Sequence, residues 1–205
     1  MLTLHRAALL LPDPADPTAP SVADGAVLVR GELIEALGPY AGLAAAHPAA
    51  RLRDWGEGLL TPGLRNPYGH WLLERAYHPD PRENAGSEPV PGGVTDATDE
   101  TACGASARRG LQRMLGFGVT AVAGPFERAA VRTAVARSGL TALPGEGAEG
   151  PLDPLAVLPL AAAVHGPLGA GGRADFAVFA PGGAGPLPGG CLATVLAGRL
   201  VYRRR

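Results

Sequence analysis

The chain has 205 residues, with 18 basic and 19 acidic side chains and a net charge of −1. This length predicts one domain, or one composite domain with a small insert, and so balanced a charge argues against nucleic acid or an acidic membrane surface as a partner. Every basic residue is Arg, which excludes Schiff-base chemistry, a phosphate-loop Lys and a metal bridge built on a carbamylated Lys.

Strand patterns dominate the first part of the chain. Apolar runs bounded by Gly and Pro predict strands at residues 2–11, 26–30, 33–37 and 51–55. Gly31-Glu32 between two of these runs predicts a β-hairpin. An Ala-rich helix is predicted at residues 40–47, where Pro48 ends it.

Further along, the pattern changes to helices that alternate with strands, as is typical of parallel βα units. In chain order these are helix 101–117, strand 119–123, helix 126–138, strand 140–143 and helix 153–164. Asp96 or Thr98 is predicted to cap the first of these helices, and Asp99 and Glu100 suit its first turn. Residues 79–98, rich in Pro, Gly, Asp and Glu, are predicted to form a mobile loop.

The last part of the chain returns to strands, predicted at residues 175–180, 191–196 and 199–203. Because both ends are predicted to be all-β, we expect them to fold together. The predicted architecture is an α/β protein with a composite β-sandwich from residues 1–58 and 167–205 and an inserted α/β segment at 59–166. The basic tail, residues 203–205, is interpreted as a solvated end that makes at most a weak anion contact.

The two cysteines, Cys103 and Cys191, are too few for a disulfide scaffold, and Cys103 is interpreted as a small buried hydrophobe rather than a nucleophile. No signal peptide is predicted, because the start lacks a basic leader and a long apolar run. The longest apolar stretch, residues 155–164, is interrupted by Pro159 and is shorter than the ~20 residues of a membrane span. We therefore expect a soluble, cytoplasmic protein with no membrane partner.

Three stretches of the sequence resemble a known family. They read DGAVLVRGELIEALG at 24–38, LTPGLRNPYGH at 60–70, and GRADFAVF at 172–179 with TVLAGRLVY at 194–202. In this order they are similar to the amidohydrolase superfamily, and within it to the imidazolonepropionase-like group. Residues 106–122 also resemble the family's first helix and second strand.

The resemblance implies a composite β domain, a (β/α)₈ barrel and a divalent metal that activates water. The stretch from Leu59 to His165 is about half of the ~200–250 residues that a closed barrel needs. We therefore predict a truncated, unclosed TIM-barrel-like segment. The family's metal motif is His-x-His after the first barrel strand, and the matching positions here read Tyr68-Gly69-His70.

The candidate site residues follow from this motif. His70 is a candidate metal ligand, with His78 and Asp96 as candidate companions, and Tyr68 and Trp71 are candidate ligand-binding aromatics. Each also has a structural interpretation. His70 would be a polar relic, the two aromatics would be packing, His78 would lie in a loop, and Asp96 would serve as a helix cap. No catalytic residue is assigned.

Two hypotheses of function remain open. The first is a catalytically degenerate amidohydrolase-derived protein with a binding or accessory role and no cofactor. The second is a metal-dependent hydrolase of non-peptide carbon–nitrogen bonds, such as those of cyclic amides or imidazolones, which would need zinc or another divalent metal. In either case we expect a homo-oligomer or a protein partner to cover the open edge of the barrel segment.

Overall fold

The computed structural model describes residues 2–83, 86, 88–93, 99–182 and 185–204. The strands are β1 (Leu2–Leu10), β2 (Val22–Arg30), β3 (Leu33–Pro39), β4 (Arg51–Asp54), β5 (Leu59–Pro62), β6 (Leu64–Asn66), β7 (Ala76–Tyr77), β8 (Val90–Pro91), β9 (Val119–Ala123), β10 (Thr141–Leu143), β11 (Phe176–Phe179), β12 (Cys191–Leu196) and β13 (Arg199–Arg203). The α-helices are α1 (Tyr40–Ala46), α2 (Glu100–Leu115), α3 (Ala129–Ser138) and α4 (Leu160–Ala163).

The larger sheet joins the two ends of the chain. Its eight strands run in the order β13-β12-β11-β5-β1-β2-β3, and β4 also pairs with β1. At its centre β5 is parallel to β1, with Leu60 beside Leu10, and antiparallel to β11, with Leu60 beside Val178. All four residues of β5 are buried, as expected of an apolar strand with neighbours on both sides.

This sheet folds over on itself, so that its β3 edge meets the segment that leads into β11. The Ile34 N–H donates to the Gly172 carbonyl at 2.8 Å, and the Ala174 N–H donates to the Glu32 carbonyl at 2.8 Å. One apolar core lies inside the fold and includes side chains of both halves, among them Val29, Phe176 and Val195. The chain ends therefore form one unit around a shared core.

The smaller sheet is parallel, with the strand order β10-β9-β6. Helices α2 and α3 cover it, and Leu111, Met114 and Val131 pack with Val122 in a second core. In the described part of the chain these three strands do not close into a barrel. The predicted α/β fold class with an unclosed barrel-like segment is thus confirmed.

The predicted domain limits stay a prediction, although β5 lies in the larger sheet rather than with the barrel-like segment. Strands β9, β12 and β13 have the predicted bounds. Helix α2 begins at Glu100, and its cap is Asp99, whose carboxylate accepts the Thr101 N–H at 2.8 Å. The predicted caps Asp96 and Thr98 lie outside the described residues.

The predicted helix at 153–164 is wrong. The structure has a 3₁₀ turn at Pro154–Ala156 and the short helix α4, with Pro159 between them. Proline has no N–H and disfavours helical geometry in the residue before it, so one continuous helix cannot form.

The predicted loop at 79–98 contains regular structure in its described part. Residues Pro81–Glu83 form a 3₁₀ turn, and β8 pairs with β7. Its mobility stays a prediction. None of the helices in the described ranges is long and apolar enough to cross a membrane.

Candidate functional site

The carboxyl ends of β6 and β9 lie at the same edge of the parallel sheet, where α/β proteins usually carry their functional residues. The chain leaves β6 at Asn66 and passes directly through Tyr68 and His70. It leaves β9 at Ala123 and continues into Gly124-Pro125, which has a cis peptide bond. The resemblance predicted this location for the site residues.

His70 is held at this edge by its ring nitrogen Nδ1, which lies 2.6 Å from the Pro125 carbonyl oxygen. A carbonyl only accepts, so Nδ1 carries the hydrogen, and whenever the ring is neutral the lone pair is on Nε2. The residue is 8% exposed. His70 is therefore an oriented histidine with one nitrogen available as an acceptor or ligand.

Glu74 is the residue that sequence reasoning missed. It lies in a π-helical turn, Trp71–Arg75, and is 3% exposed. One carboxylate oxygen accepts the Arg128 N–H at 2.9 Å, and the other lies 3.8 Å from His70 Nδ1. The spacing of four residues from His70 was the available signal, because residues four apart share one face of a helix.

A segment that we call the strap, residues 144–152, crosses the same edge. Asn66 ties it down with its amide group, which donates to the carbonyls of Pro151 at 3.0 Å and Leu152 at 2.9 Å. The Asn66 side-chain oxygen accepts the Tyr68 N–H at 2.8 Å. One fully buried side chain thus fixes the strap and the turn after β6 together.

Two strap glycines touch the candidate residues directly. Gly150 lies so close to the Tyr68 ring that a Cβ at this position would overlap it, and a Cβ on Gly147 would lie 3.0 Å from His70 Cδ2. Gly147 also has a φ of +77°, which favours glycine. Tyr68 and Trp71 are half-buried and pack against the second core. Their role in ligand binding stays a prediction.

His78 is held differently and is fully buried. Its Nε2–H donates to the Leu72 carbonyl at 2.8 Å, and Arg113 lies 3.5 Å from Nδ1. Burial and the nearby arginines lower its pKa to about 4. Both ring nitrogens of this neutral imidazole are engaged, and its contacts differ from those of His70.

The donor set does not fit a divalent metal. A catalytic zinc needs about three protein ligands and an open position, and no three His, Cys, Asp or Glu side chains within the described ranges are grouped to hold an ion. His70 offers one nitrogen, while Glu74 faces the opposite nitrogen and an amide. Asp96 lies outside the described residues, so its part in a metal site stays a prediction.

A wide cleft lies elsewhere, beside α2. It has a volume of about 990 Å³ and is lined by Pro79, Asp80 and the arginines 108, 109 and 113, among others. Arg109 donates to the His78 carbonyl at 2.7 Å. Nothing in the sequence pattern pointed to this cleft, because its walls come from separate segments.

Comparison with protein families finds a match to part of the chain. The model "Imidazolonepropionase-like composite domain, bacteria" matches residues 25–50, which cover most of β2, all of β3 and α1. None of the curated proteins matches the sequence significantly.

Solved structures show a similar fold. Guanine deaminase from Bradyrhizobium japonicum has a TM-score of 0.51 and 18% identity over 69% of this chain and 34% of that chain. Ochratoxinase from A. niger has a TM-score of 0.48 and 20% identity over 70% of this chain and 30% of that chain. An adenosine deaminase from Xanthomonas campestris, described with bound zinc, has a TM-score of 0.46 and 21% identity over 69% of this chain and 33% of that chain. The chain thus spans about a third of the length of these proteins.

Proposed function

We propose that this chain, whose family match and fold support an amidohydrolase-superfamily assignment, acts in the cytoplasm as a binding or accessory protein without hydrolytic turnover. The contacts within the chain, rather than the activities of its structural neighbours, support this role.

The strap is the observation that carries the proposal. In a barrel-type enzyme the carboxyl ends of the strands must be open, because substrate and catalytic groups meet there. Here the chain's own strap lies over those ends, against Tyr68 and His70, and Asn66 holds it with two hydrogen bonds. At Gly147 the strap leaves little room beside Cδ2 of the His70 ring.

The described donors support the same conclusion. Metal-dependent hydrolysis requires a bound water whose pKa is lowered by the ion, and the side chains around His70 do not make up a ligand set. The cleft beside α2 has a volume of about 990 Å³, which is large enough for a small-molecule binding site.

A metal-dependent hydrolase of non-peptide carbon–nitrogen bonds is the second candidate. It is favoured by the orientation of His70, whose Nδ1–H is fixed by Pro125 and whose Nε2 is left to bind an ion. The remaining ligands would have to come from a second copy of the chain or from Asp96. His78 would first have to give up both of its present contacts.

Metal retention distinguishes the two candidates. The protein is incubated with zinc or manganese and dialysed extensively, and metal per chain is measured for wild type, His70→Ala and the control His47→Ala, which alters a half-buried histidine after α1. We expect no retained ion and no hydrolysis of imidazolones or cyclic amides. One ion held by wild type and the control but lost in His70→Ala would overturn the proposal in favour of the hydrolase.

A further inference from the structure

Three arginines from two distant strands, β4 and β13, line one small cavity. Arg51 and Arg53 are two residues apart on β4, so both side chains leave the same face of the strand. Arg203, at the end of β13, lines the same cavity, whose volume is about 300 Å³. The Arg203 guanidinium also lies 5.7 Å from the centre of the Trp55 ring, which is close enough for a cation–π contact.

Among the described residues that line the cavity, three arginines face one carboxylate, that of Asp54. In the described part of the chain none of the three arginines forms a salt bridge. Asp54 lines the cavity, but its carboxylate is already engaged by Arg6 at 2.8 Å and by the Gly56 N–H at 2.9 Å. The cavity therefore carries an excess of positive charge.

The three arginines lie close enough together for their charges to repel one another. The pKa of Arg53 is lowered, first by partial burial and then by the charges of Arg51 and Arg203. The neighbouring His5 is fully buried and accepts the Trp55 Nε1–H at 3.4 Å. Burial and then the charge of Arg53 lower its pKa to about 3, so His5 is neutral and adds no charge to the cluster. Like charges held together without a counter-charge cost free energy that a bound anion would recover.

We propose that Arg51, Arg53 and Arg203 form a binding site for a small oxyanion, specifically a phosphate group. Guanidinium forks match the oxygens of phosphate and give it strong, charge-assisted hydrogen bonds. The cavity is at the small end of ligand sites, which suits one phosphate group better than an extended polymer. The cavity shares no lining residue with the strand-end site around Tyr68 and His70, so the proposal does not rest on the proposed function.

Calorimetric titration with inorganic phosphate at constant ionic strength tests the site. Wild type and the control Arg199→Gln, an exposed arginine on the same strand as Arg203, should bind phosphate saturably with equal affinity. Arg53→Gln and Arg203→Gln should each bind about tenfold more weakly, as expected for the loss of one charge-assisted contact. Equal affinity in all four proteins, or no saturable heat in wild type, would overturn the proposal.

Thermal unfolding provides a readout that a structural role of the arginines would not give. Without phosphate, Arg53→Gln should unfold at a higher temperature than wild type, because the substitution relieves repulsion. With phosphate, wild type should gain stability and Arg53→Gln should gain much less. A variant that is less stable than wild type without phosphate, with an unchanged gain on its addition, would show a structural role and contradict the site.

Glycerol phosphate, titrated in parallel, identifies the source of the anion. Tighter binding than that of inorganic phosphate, with the same loss in Arg203→Gln, would indicate a small phosphate ester, and equal binding would indicate the free ion. Both results support an oxyanion site. Polyphosphate is titrated as a third ligand, and binding of polyphosphate alone would overturn the proposed site for a single phosphate group.

Discussion

The larger sheet and the strand-end region are stabilised in different ways. The strands of the larger sheet enclose an apolar core, which contains fully buried side chains such as Phe176 and Val178. At the strand ends, three short strands are covered by a strap that depends on Asn66 and on close glycine contacts. Stability in the first region is spread over many equivalent contacts, whereas in the second it is concentrated in a few specific ones.

Phe176→Ala should have the largest effect. The ring is fully buried and packs edge-on against His5, with 4.9 Å between ring centres. Its removal leaves a cavity and should lower the free energy of unfolding by about 3–5 kcal/mol, measured by urea denaturation. The exposed Leu187 serves as control, and Leu187→Ala should change stability by less than about 0.5 kcal/mol. Similar effects of both substitutions would contradict the central role of this core.

Asn66→Ala should cost about 2–3 kcal/mol, because two strap carbonyls and the Tyr68 N–H lose their partner at a buried position. The loss should be local. Hydrogen exchange should therefore increase in residues 144–152 before it increases in the larger sheet. In Asn66→Asp the Tyr68 contact can remain while the carboxylate opposes two carbonyls, so this variant should be at least as unstable. Unchanged exchange in the strap would show that Asn66 does not hold it.

Gly150→Ala should lower the free energy of unfolding by about 1–3 kcal/mol, because the added methyl group overlaps the Tyr68 ring. Gly42→Ala is the matched control. Gly42 lies within α1 with open space around it, so the same substitution should stabilise there by about 0.5–1 kcal/mol. Effects of the same sign at both positions, measured by urea denaturation, would mean that the strap does not contact Tyr68 as described.

Acidification should destabilise both regions through one buried histidine in each. Burial lowers the pKa of His5 to about 3 and of His78 to about 4, from an ordinary value of 6.5. Below pH 6.5 these histidines bind protons in the unfolded chain but not in the folded chain, so the free energy of unfolding decreases as the pH is lowered. The decrease continues to about pH 4 for His78 and to about pH 3 for His5. Each histidine should contribute up to about 1.4 kcal/mol per pH unit.

Urea denaturation between pH 6.5 and 5 measures this slope, in a range above the ordinary pKa of a carboxylate. Burial raises the pKa of Asp153 and Asp175, which acts in the opposite direction at lower pH. His5→Leu and His78→Leu should each reduce the pH dependence of the free energy of unfolding by up to about 1.4 kcal/mol per pH unit. An unchanged slope in either variant would show that its histidine is protonated in the folded protein.

Self-association at micromolar concentration is the smallest expected effect. The outer edge of β10 is a short parallel edge with an exposed residue, Ala142, and unpaired strand edges favour pairing with another chain. Size-exclusion chromatography should give a mass above that of the monomer, and Ala142→Asp should reduce it without destabilising the fold. A strictly monomeric mass for the wild-type protein would contradict self-association through the β10 edge.

The sequence predicts the larger sheet well because its information is local. The strands β12 and β13 follow from an apolar run, a Gly198 turn and a second run, and the structure confirms these bounds. The broken helix at 153–164 was missed because its apolar content outweighed Pro159 in the pattern, although proline ends a helix whatever surrounds it.

The strand-end region is predictable only in part. The resemblance located Tyr68 and His70 at the end of a strand, and the structure places them there. It gave no sign of the strap, because Asn66 and Pro151 are far apart in sequence and nothing local encodes their contact. Pro125, which orients His70, was equally out of reach.

The central position of β5 has a consequence during protein synthesis. One of its neighbours, β1, precedes it, but the other, β11, leaves the ribosome only after the whole α/β segment has been made. Until then the apolar residues Leu59 and Leu60 form an open edge on the nascent chain. We expect chaperones that recognise short apolar segments to bind there, and the parallel sheet to be complete before the larger one closes.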